Sequence, residues 1–381
     1  MIDKKICIVG LGYIGLPTAA ILADRGAHVI GLDVKEDAVA CINRGEIHIV
    51  EPFLEGVVRK AVSAGLLRAT TIAEPADAFL IAVPTPFKGD HEPDMSFVKA
   101  AATAIAPVLA PGNVVILEST SPVGATTSLA QWISELRPDL NIPGVQEAAP
   151  DIHVAYCPER VLPGNVLHEL VQNDRVIGGL TPACCEAATE IYRIFVKGEC
   201  IKTTAATAEL CKLSENSFRD LNIAFANELS IICDRMGVNV WELVALANRH
   251  PRVNILQPGP GVGGHCIAVD PWFIVNSAPD ISRLIRTARE VNDAKPHWVE
   301  EKVIAAVNTH IAQHDGKSAA DVTIGCFGLS FKADIDDLRE SPSLEITMSL
   351  AQSHPGKLVA VEPNIELLPD SLARQGVVLM D

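Results

Sequence analysis

A glycine-rich turn between a strand and a helix limits what this chain can fold into more than any other feature. The apolar segment Ile6–Val9 precedes Gly10-Leu11-Gly12-Tyr13-Ile14-Gly15, which opens a helix-like stretch reaching about Arg25. A second apolar segment, His28–Leu32, then ends at Asp33. A strand, a helix and a second strand in this order form a βαβ unit, which implies a parallel sheet.

The same turn carries a chemical expectation. Gly10 permits the tight turn, Gly12 lets the backbone approach a pyrophosphate, and Gly15 lets the helix pack closely on the strand. The helix N-terminus offers free N–H groups to phosphates. Asp33 is placed to accept hydrogen bonds from the ribose hydroxyls and to repel a 2′-phosphate. The sequence therefore predicts NAD rather than NADP binding; the alternative is a purely structural glycine turn.

Further apolar segments predict that this sheet continues. They lie at Ala78–Val83, Val114–Leu117, Val154–Tyr156 and Arg175–Ile177. Loops that follow the strands of an open parallel sheet line its ligand crevice. The hydroxyls of Thr85, Thr120 and Thr126 are therefore candidate cofactor contacts. Threonines here also cap helices, and for Thr126 both interpretations stay open.

From about Ala205 the apolar spacing becomes helical and continues to about Met236, with a second helix predicted at Val240–Ala247. We expect the long helix to be a subunit contact in a homodimer. Beyond a linker at Gly316–Asp321, the strand–helix–strand–acid pattern of the N-terminus recurs. Its parts are Val322–Phe327, Ser343–Ser353, Lys357–Val361 and Glu362, followed by one more strand at the end of the chain.

Three domains are therefore predicted in an α/β protein. Residues 1–200 form a Rossmann-type NAD domain, residues 201–315 a central helical domain, and residues 316–381 a C-terminal Rossmann-like domain. An open sheet of this last type usually has more strands, so we expect the third domain to be shortened.

Composition excludes several classes of partner. The formal net charge of −16 over 381 residues would repel nucleic acid or an acidic membrane surface. No apolar run reaches the ~18 residues that span a bilayer, and no signal-peptide pattern opens the chain. The ten cysteines lack metal-site or disulfide-framework spacing. We expect a reduced, cytoplasmic protein that binds no metal.

One cysteine has an unusual setting. Cys266 follows four glycines within positions 259–264 and precedes Asp270. Such a loop suits close approach of a ligand, and an attacking thiol must be partly exposed. Cys266 is therefore a candidate nucleophile, against the alternative of a small buried cysteine, and Asp270 is a candidate acid or a loop cap. A thiol beside NAD indicates a dehydrogenase that carries an alcohol through an aldehyde to an acid.

Polar and charged residues of the central region are further candidates for the active site. Lys212 and Asn216 lie one helical turn apart and can project into one cleft, and Arg219 continues that face. From spacing alone, a lysine here is a solvated charge. A basic cluster past the second helix suits a phosphate or is a charged turn; it consists of Arg249, His250 and Arg252.

Five ordered motifs give the chain a resemblance to the UDP-glucose/GDP-mannose dehydrogenase family, and within it to the acetamido-sugar branch. The motifs are GLGYIGLP from Gly10, CPERVLPG from Cys157, AELCKLSENSFRDLNIAFANEL from Ala208, HPRVNILQPGPGVGGHCIAVDPWF from His250 and SFKADIDDLRESPS from Ser330. The family implies a four-electron oxidation of the sugar C6 alcohol to a carboxylate, with two NAD per turnover.

The resemblance also implies residue roles. The general base is Lys212 or Asp270. Cys266 attacks the aldehyde, and Glu159 orients water for thioester hydrolysis. Lys212 and Asn216 stabilise the developing oxyanions. The residues implied around the sugar nucleotide are Lys212, Asn216, Arg160, Val161, Arg219, His250, Arg252 (from a neighbouring subunit), Gly263, Phe331 and Lys332. Arg339 is implied at NAD, with Tyr13 and Ile14 in the glycine-rich loop.

Two motifs depart from glucose-type members of the family. His265-Cys266-Ile267-Ala268-Val269-Asp270 stands in place of Ser-Cys-x-Pro-Lys-Asp, and Arg160 replaces the phenylalanine of Pro-Glu-Phe. Both resemble the acetamido-sugar branch, which implies UDP-N-acetyl-D-mannosamine as substrate in surface polysaccharide synthesis. The alternatives are UDP-N-acetyl-D-glucosamine, a simple two-electron oxidation, or UDP-sugar binding without turnover.

Overall fold

The computed structural model describes residues 4–161, 164–264, 266–332 and 335–380. The chain divides into two compact units, Met1–Leu213 and Ser214–Asp381. Among the described residues, no helix combines the length and the apolar character needed to cross a bilayer.

The first unit is built on an eight-stranded sheet. Its strands, in chain order, are β1 (Lys5–Val9), β2 (His28–Leu32), β3 (Leu67–Thr70), β4 (Ala78–Ile81), β7 (Val114–Leu117), β8 (His153–Tyr156), β9 (Arg175–Gly179) and β10 (Cys200–Thr204), with a short hairpin of β5 (Phe87–Lys88) and β6 (Glu92–Pro93) between β4 and β7. The spatial order is β3-β2-β1-β4-β7-β8-β9-β10. The predicted Rossmann-type sheet is thereby confirmed.

Helices cover both faces of this sheet. They are α1 (Gly15–Asp24), α2 (Glu36–Asn43), α3 (Leu54–Ser63), α4 (Ser96–Ile105), α5 (Ala125–Leu136), α6 (Val166–Gln172) and α7 (Pro182–Tyr192). Alternate residues of β1 enter opposite cores, with Ile6 and Ile8 in one and Cys7 and Val9 in the other. A strand buried on both faces reads as a continuous apolar run, which is why its sequence predicted it so well.

Two features of the sheet differ from the sequence prediction. β8 and β9 pair antiparallel, so the sheet is mixed rather than parallel throughout. Strands β3 and β10 were not predicted from the sequence, because polar or charged residues such as Arg68 and Lys202 interrupt their apolar runs. Both are edge strands, and one side of an edge strand meets solvent.

Two long helices dominate the central region. α8 (Ala205–Met236) begins in the first unit and continues into the second, close to the predicted bounds. α9 (Val240–Ala247) matches its prediction, and α10 (Asp270–Ser277) follows the Cys266 loop. α11 (Arg283–Ala312) was not predicted; it contains the buried Pro296, and a proline inside a helix is normally a break signal.

The second unit ends in a three-stranded parallel sheet that repeats the N-terminal turn. Its elements are β11 (Ile324–Phe327), α12 (Pro342–Ser353), β12 (Leu358–Val361), α13 (Asp370–Ala373) and β13 (Val378–Met380). Leu329 N donates to the Glu362 carboxylate at 2.8 Å, as Leu11 N donates to Asp33 at 2.9 Å. The predicted recurrence of the strand–helix–strand–acid pattern is confirmed in its hydrogen bonds.

Candidate active site

The glycine-rich turn lies at the carboxyl edge of the eight-stranded sheet. Val9 pairs with Leu32 on one side and Ile81 on the other, so the residues that follow these strands meet at one edge. Gly10 has φ +91°, and a Cβ there would lie 2.7 Å from the carbonyl oxygen of Ala82. The turn therefore requires a glycine at this position.

The other two glycines of the turn serve different purposes. A Cβ on Gly15 would overlap the carbonyl oxygen of Gly10, so α1 can begin this close to β1 only with a glycine. A Cβ on Gly12 would meet nothing within 4 Å. Open space beside the backbone at the start of a helix is what close approach of a pyrophosphate needs. The turn thus fits the diphosphate of NAD.

Asp33 braces this turn. Its Oδ2 accepts the N–H of Leu11 at 2.9 Å, and its Oδ1 accepts the N–H of Lys35 at 2.9 Å. Each carboxylate oxygen can accept a further hydrogen bond, so ribose hydroxyls can still bind. Tyr13 is 38% exposed and Ile14 is half-buried in the same loop.

The three candidate threonines are not equivalent. The Thr85 hydroxyl donates to the carbonyl oxygen of Thr120 at 2.5 Å, which joins the two loops that follow β4 and β7. Thr126 is buried in the first turn of α5, and both its hydroxyl and its N–H donate to Glu209 Oε1, at 2.6 and 2.8 Å. Glu209 Oε2 accepts the N–H of Gly124 at 2.7 Å. This buried pairing favours the structural interpretation of Thr126.

Glu159 lies in a buried ion pair. Its Oε2 is 2.6 Å from Arg175 Nη1, and its Oε1 accepts the N–H of Arg160 at 2.6 Å. Arg160 is half-buried, and Val161 packs against the core of the first unit. The rest of this motif, Leu162–Pro163, lies outside the described residues. The implied water-orienting carboxylate is therefore firmly held.

A second acid borders this ion pair and was missed from the sequence. Glu118 directly follows β7, is 3% exposed, and accepts the Tyr192 hydroxyl at 2.6 Å. Burial raises the pKa of Glu118 to about 7, and the charge of Glu159 adds to this while the Tyr192 hydrogen bond and Arg175 oppose it. The sequence feature that could have indicated Glu118 is an acidic residue directly after an apolar strand.

The segment that bears Glu159 has a further anchor that the sequence did not reveal. Glu51 is buried, and its two oxygens accept the N–H groups of Gly164 at 3.0 Å and Val166 at 2.9 Å. The carboxylate therefore binds the N-terminus of α6, where the helix dipole favours negative charge.

In the second unit, the backbone of Cys266 is hydrogen-bonded to the start of α10, the helix that carries the predicted acid. The carbonyl oxygen of Cys266 accepts the N–H groups of Val269 at 3.0 Å and Asp270 at 2.8 Å. Asp270 is 2% exposed, and its Oδ2 accepts the Asn216 amide at 2.5 Å. Cys266 is half-buried, while His265 lies outside the described residues. The structure thus joins Asn216 to Asp270 through their side chains, and Cys266 to Asp270 through the backbone.

Exposure alone does not single out Cys266. Of the ten cysteines, five are buried and five are half-buried. What distinguishes Cys266 is its place at the end of a glycine loop and its backbone bond to a buried acid. Lys212 is half-buried on α8 within the first unit, where Glu159 also lies.

The glycine loop before Cys266 packs on the C-terminal part of the second unit. A Cβ on Gly264 would lie 2.8 Å from the Phe331 ring, and one on Gly263 would lie 2.7 Å from Phe331 Cβ. Gly264 N donates to the carbonyl oxygen of Arg339 at 3.1 Å. The Arg339 guanidinium binds Asp337 at 2.6 Å. Two residues implied at substrate and cofactor therefore contact the Cys266 loop.

The remaining predicted binding residues lie at the surface of the second unit. Their side chains are exposed; they are Arg219, His250, Arg252 and Lys332. Asn248 closes the turn that carries the basic cluster, since its amide donates to the carbonyl oxygen of Ile255 at 2.9 Å and accepts the N–H of Ile255 at 2.7 Å.

Three domain descriptions of one family match this chain. The UDP-glucose/GDP-mannose dehydrogenase family, NAD binding domain, matches residues 4–196; its central domain matches residues 206–294; and its UDP binding domain matches residues 325–381. The chain belongs to this family. As a UDP-glucose/GDP-mannose dehydrogenase family member it is an NAD-dependent oxidoreductase.

Its relatives within the family are similar over almost the whole chain. A UDP-N-acetyl-D-mannosamine dehydrogenase of Yersinia pestis is 65% identical over 369 residues, 97% of this chain and 88% of the relative. An NDP-N-acetyl-D-galactosaminuronic acid dehydrogenase of Ralstonia nicotianae is 63% identical over 378 residues, 99% of this chain and 87% of the relative. The solved structure of a UDP-D-ManNAc dehydrogenase from Pyrococcus horikoshii matches with a TM-score of 0.88 and 36% identity, over 98% of this chain and 88% of the other.

Proposed function

We propose that this chain oxidises the C6 alcohol of UDP-N-acetyl-D-mannosamine to the carboxylate, with two NAD per turnover and Cys266 as the nucleophile. The 65% identical relative that is named for this substrate supports the proposal. The product is an aminouronate sugar nucleotide, and we place its use in surface polysaccharide synthesis in the cytoplasm.

The observation that carries the chemistry is the arrangement of Cys266, Asp270 and Asn216. The half-buried Cys266 stands at the end of a glycine loop, and its backbone carbonyl oxygen accepts the N–H of the buried Asp270. The Asp270 carboxylate accepts the Asn216 amide at 2.5 Å, which orients it. A nucleophile beside a fixed acid or base is the general pattern of covalent catalysis. A two-electron dehydrogenase has no need of the thiol.

The proposed reaction has two oxidations joined by a covalent intermediate. NAD, when bound, accepts one hydride in each oxidation. The hydroxyl proton passes to the protein as C6 becomes an aldehyde. Cys266 then loses its Sγ–H proton as Sγ bonds to C6, and the aldehyde oxygen takes up a proton to give a thiohemiacetal. Loss of a second hydride and of that proton gives a thioester. Water then breaks the C6–Sγ bond, which releases the carboxylate, the thiol and a proton.

Each implied catalytic residue has a task in this scheme. Lys212 or Asp270 accepts the hydroxyl proton, and Lys212 with Asn216 stabilises the oxyanions at C6. Glu159 orients the hydrolytic water by accepting a hydrogen bond from it. The ion pair with Arg175 holds the Glu159 carboxylate in place for this task. Covalent capture by Cys266 also prevents a reactive aldehyde from leaving between the two oxidations.

We propose binding sites built from the residues that the sequence predicts, except Thr126, whose pairing with Glu209 favours a structural role. NAD lies over the glycine-rich turn with Tyr13 and Ile14, its ribose on Asp33, near Thr85, Thr120 and Arg339. The sugar nucleotide contacts Arg160, Val161, Arg219, His250, Arg252, Gly263, Phe331 and Lys332. Residues 1–200, 201–315 and 316–381 serve as cofactor, central and UDP-sugar domains.

A homodimer through α8 is part of the proposal. Large apolar side chains on this helix are exposed at intervals of seven residues: Phe218 (70%), Phe225 (54%) and Ile232 (46%). Side chains seven apart lie on one face of a helix, which is the arrangement of a helix–helix interface. Such a stripe on a surface marks a contact with another protein, and a second copy supplies an identical stripe.

A second candidate substrate has an observation in its favour. A relative with 63% identity is named for an N-acetyl-D-galactosamine-derived acid, so the configuration of the sugar is not fixed by overall similarity. Initial rates with the UDP-activated N-acetyl-manno, N-acetyl-gluco and N-acetyl-galacto sugars, at matched concentrations, decide between them. We expect kcat/KM to be highest for the manno sugar.

Replacing the thiol tests the proposed chemistry. We expect Cys266→Ala to abolish formation of the acid, measured by anion-exchange chromatography, while the affinity for NAD is unchanged. Cys41→Ala is the matched control, because Cys41 is another half-buried cysteine and lies on α2. Acid formation at the wild-type rate by Cys266→Ala would exclude the thioester route.

A further inference from the structure

Four buried polar side chains connect α8 to α11 in the second unit. Asp220 Oδ1 is 2.6 Å from Arg289 Nη1, and it accepts the Asn292 amide at 2.8 Å. The Asn227 amide nitrogen donates to the Asn292 amide oxygen at 2.8 Å. All four side chains belong to residues no more than 1% exposed. Burying polar groups is costly unless they are paired, so these hydrogen bonds favour one arrangement of the four side chains.

Two acceptors of Asp220 set the direction of every bond in this row: its carboxylate, and its backbone carbonyl oxygen, which accepts the Asn292 amide at 3.1 Å. A carboxylate only accepts hydrogen bonds, so Asn292 must turn its NH2 group to Asp220 and its oxygen to Asn227. Asn227 must then present its NH2 group to Asn292, which leaves its own oxygen facing away from the row. That oxygen accepts the N–H of Gly259 at 2.8 Å.

Gly259 begins the glycine loop that leads to Cys266. The loop is held at its other end by the hydrogen bond from Gly264 N to the carbonyl oxygen of Arg339 at 3.1 Å. Glycines have more backbone freedom than other residues, so a stretch containing four of them needs outside contacts to hold one conformation. The Asn227 amide supplies such a contact from the rigid helix α8.

We infer that Asn227 is a positioning residue for the Cys266 thiol, oriented by Asp220 through Asn292. The inference rests on the proposed role of Cys266 as nucleophile and adds how the protein places it. Asn227 touches the loop backbone rather than the reacting atoms. A displacement of about 1 Å at a reacting group costs roughly 100-fold in rate, so loss of this contact should lower kcat rather than raise KM.

The first test removes the contact. In full-length Asn227→Ala we expect kcat to fall by about 10- to 100-fold, with KM for the sugar nucleotide and the affinity for NAD within about threefold of wild type. We also expect the rate at which iodoacetamide alkylates Cys266 to differ from that of wild type by at least about threefold. Mass spectrometry of the Cys266 peptide measures this rate. Asn308→Ala is the control, because Asn308 is an exposed asparagine on the same helix as Asn292.

The second test exchanges donor and acceptor. Asn292→Asp alone places two carboxylates next to each other, and Asp220→Asn alone replaces the charged acceptor of the row by a neutral amide. The double variant Asp220→Asn/Asn292→Asp restores a donor facing an acceptor and keeps the net charge of the cluster. Its new carboxylate still accepts the Asn227 amide. We expect it to recover at least about tenfold in kcat over the poorer single variant, which loss of packing alone would not allow.

The outcomes separate this inference from the proposed function. If Asn227→Ala keeps wild-type kcat and the wild-type rate of alkylation, or if the double variant recovers nothing, the positioning role is wrong. If Cys266→Ala still forms the acid, the proposed function is wrong whatever Asn227 does. Should any variant fail to fold, as judged by circular dichroism, Asn227→Ser, which keeps a short hydroxyl beside Gly259, provides the same comparison.

Discussion

The buried Glu118 carboxyl predicts a pH-dependent gain in stability on replacement by glutamine. Glu118→Gln keeps an oxygen to accept the Tyr192 hydroxyl and removes the ionisable group. Burial raises the pKa of Glu118 from its usual 4.5 to about 7. The folded protein therefore binds this proton more tightly than the unfolded chain does.

The sign follows from this proton. The contribution of Glu118 to stability is complete below pH 4.5, declines as the pH rises, and is lost above about pH 7. Between pH 5 and pH 8 the wild type should lose roughly 2–3 kcal/mol through this group, which the variant should not lose. For a unit of this size, that is about 5–10 °C in Tm.

Differential scanning calorimetry of both proteins at pH 5 and pH 8 measures the effect. The informative quantity is the difference in Tm between variant and wild type, which should increase from pH 5 to pH 8. Any cost of the new amide group is the same at both pH values and cancels. Glu135→Gln, at an exposed position on α5, controls for the loss of one charge. An equal Tm difference at both pH values would refute the reasoning.

Three further predictions concern the cofactor, a buried anchor and the dimer. Asp33→Ala should weaken NAD at least about tenfold with little effect on the sugar nucleotide, and unchanged NAD affinity by titration calorimetry would count against the ribose contact. Glu209→Ala leaves buried donors of Thr126 and Gly124 without partners and should lower unfolding free energy by about 1–3 kcal/mol; an unchanged Tm would contradict this. Phe225→Glu should yield monomers in sedimentation velocity, and an intact dimer would exclude the α8 stripe as the interface.

Local patterns were sufficient to predict six of the eight strands of the first sheet and the helix α9. β1 is apolar along its whole length because both faces are buried, and the turn at Gly10 fixes where it ends. α11 escaped prediction because Pro296, a break signal in isolation, is tolerated inside a packed helix. Tertiary packing there outweighs the local cost of a missing backbone hydrogen bond.

The functional groups that the sequence did not reveal act over long separations. Asn227 and Asn292 are 65 residues apart in the sequence. Glu51 accepts hydrogen bonds from backbone N–H groups more than 100 residues further along the chain. Single polar residues of this kind have no period or motif. Cys266 and Asp270 could be predicted because chemistry and a glycine loop coincide within a few residues. Thr126 could not be settled, since only the fold brings Glu209 to it.

The most direct test of the central claim is the amount of NADH formed per mole of limiting UDP-N-acetyl-D-mannosamine. A four-electron oxidation through Cys266 predicts a ratio of about two, with the acid as the sole product and no free aldehyde detected by trapping with a hydrazine. A ratio of about one, with an aldehyde or ketone as product, would contradict the covalent mechanism.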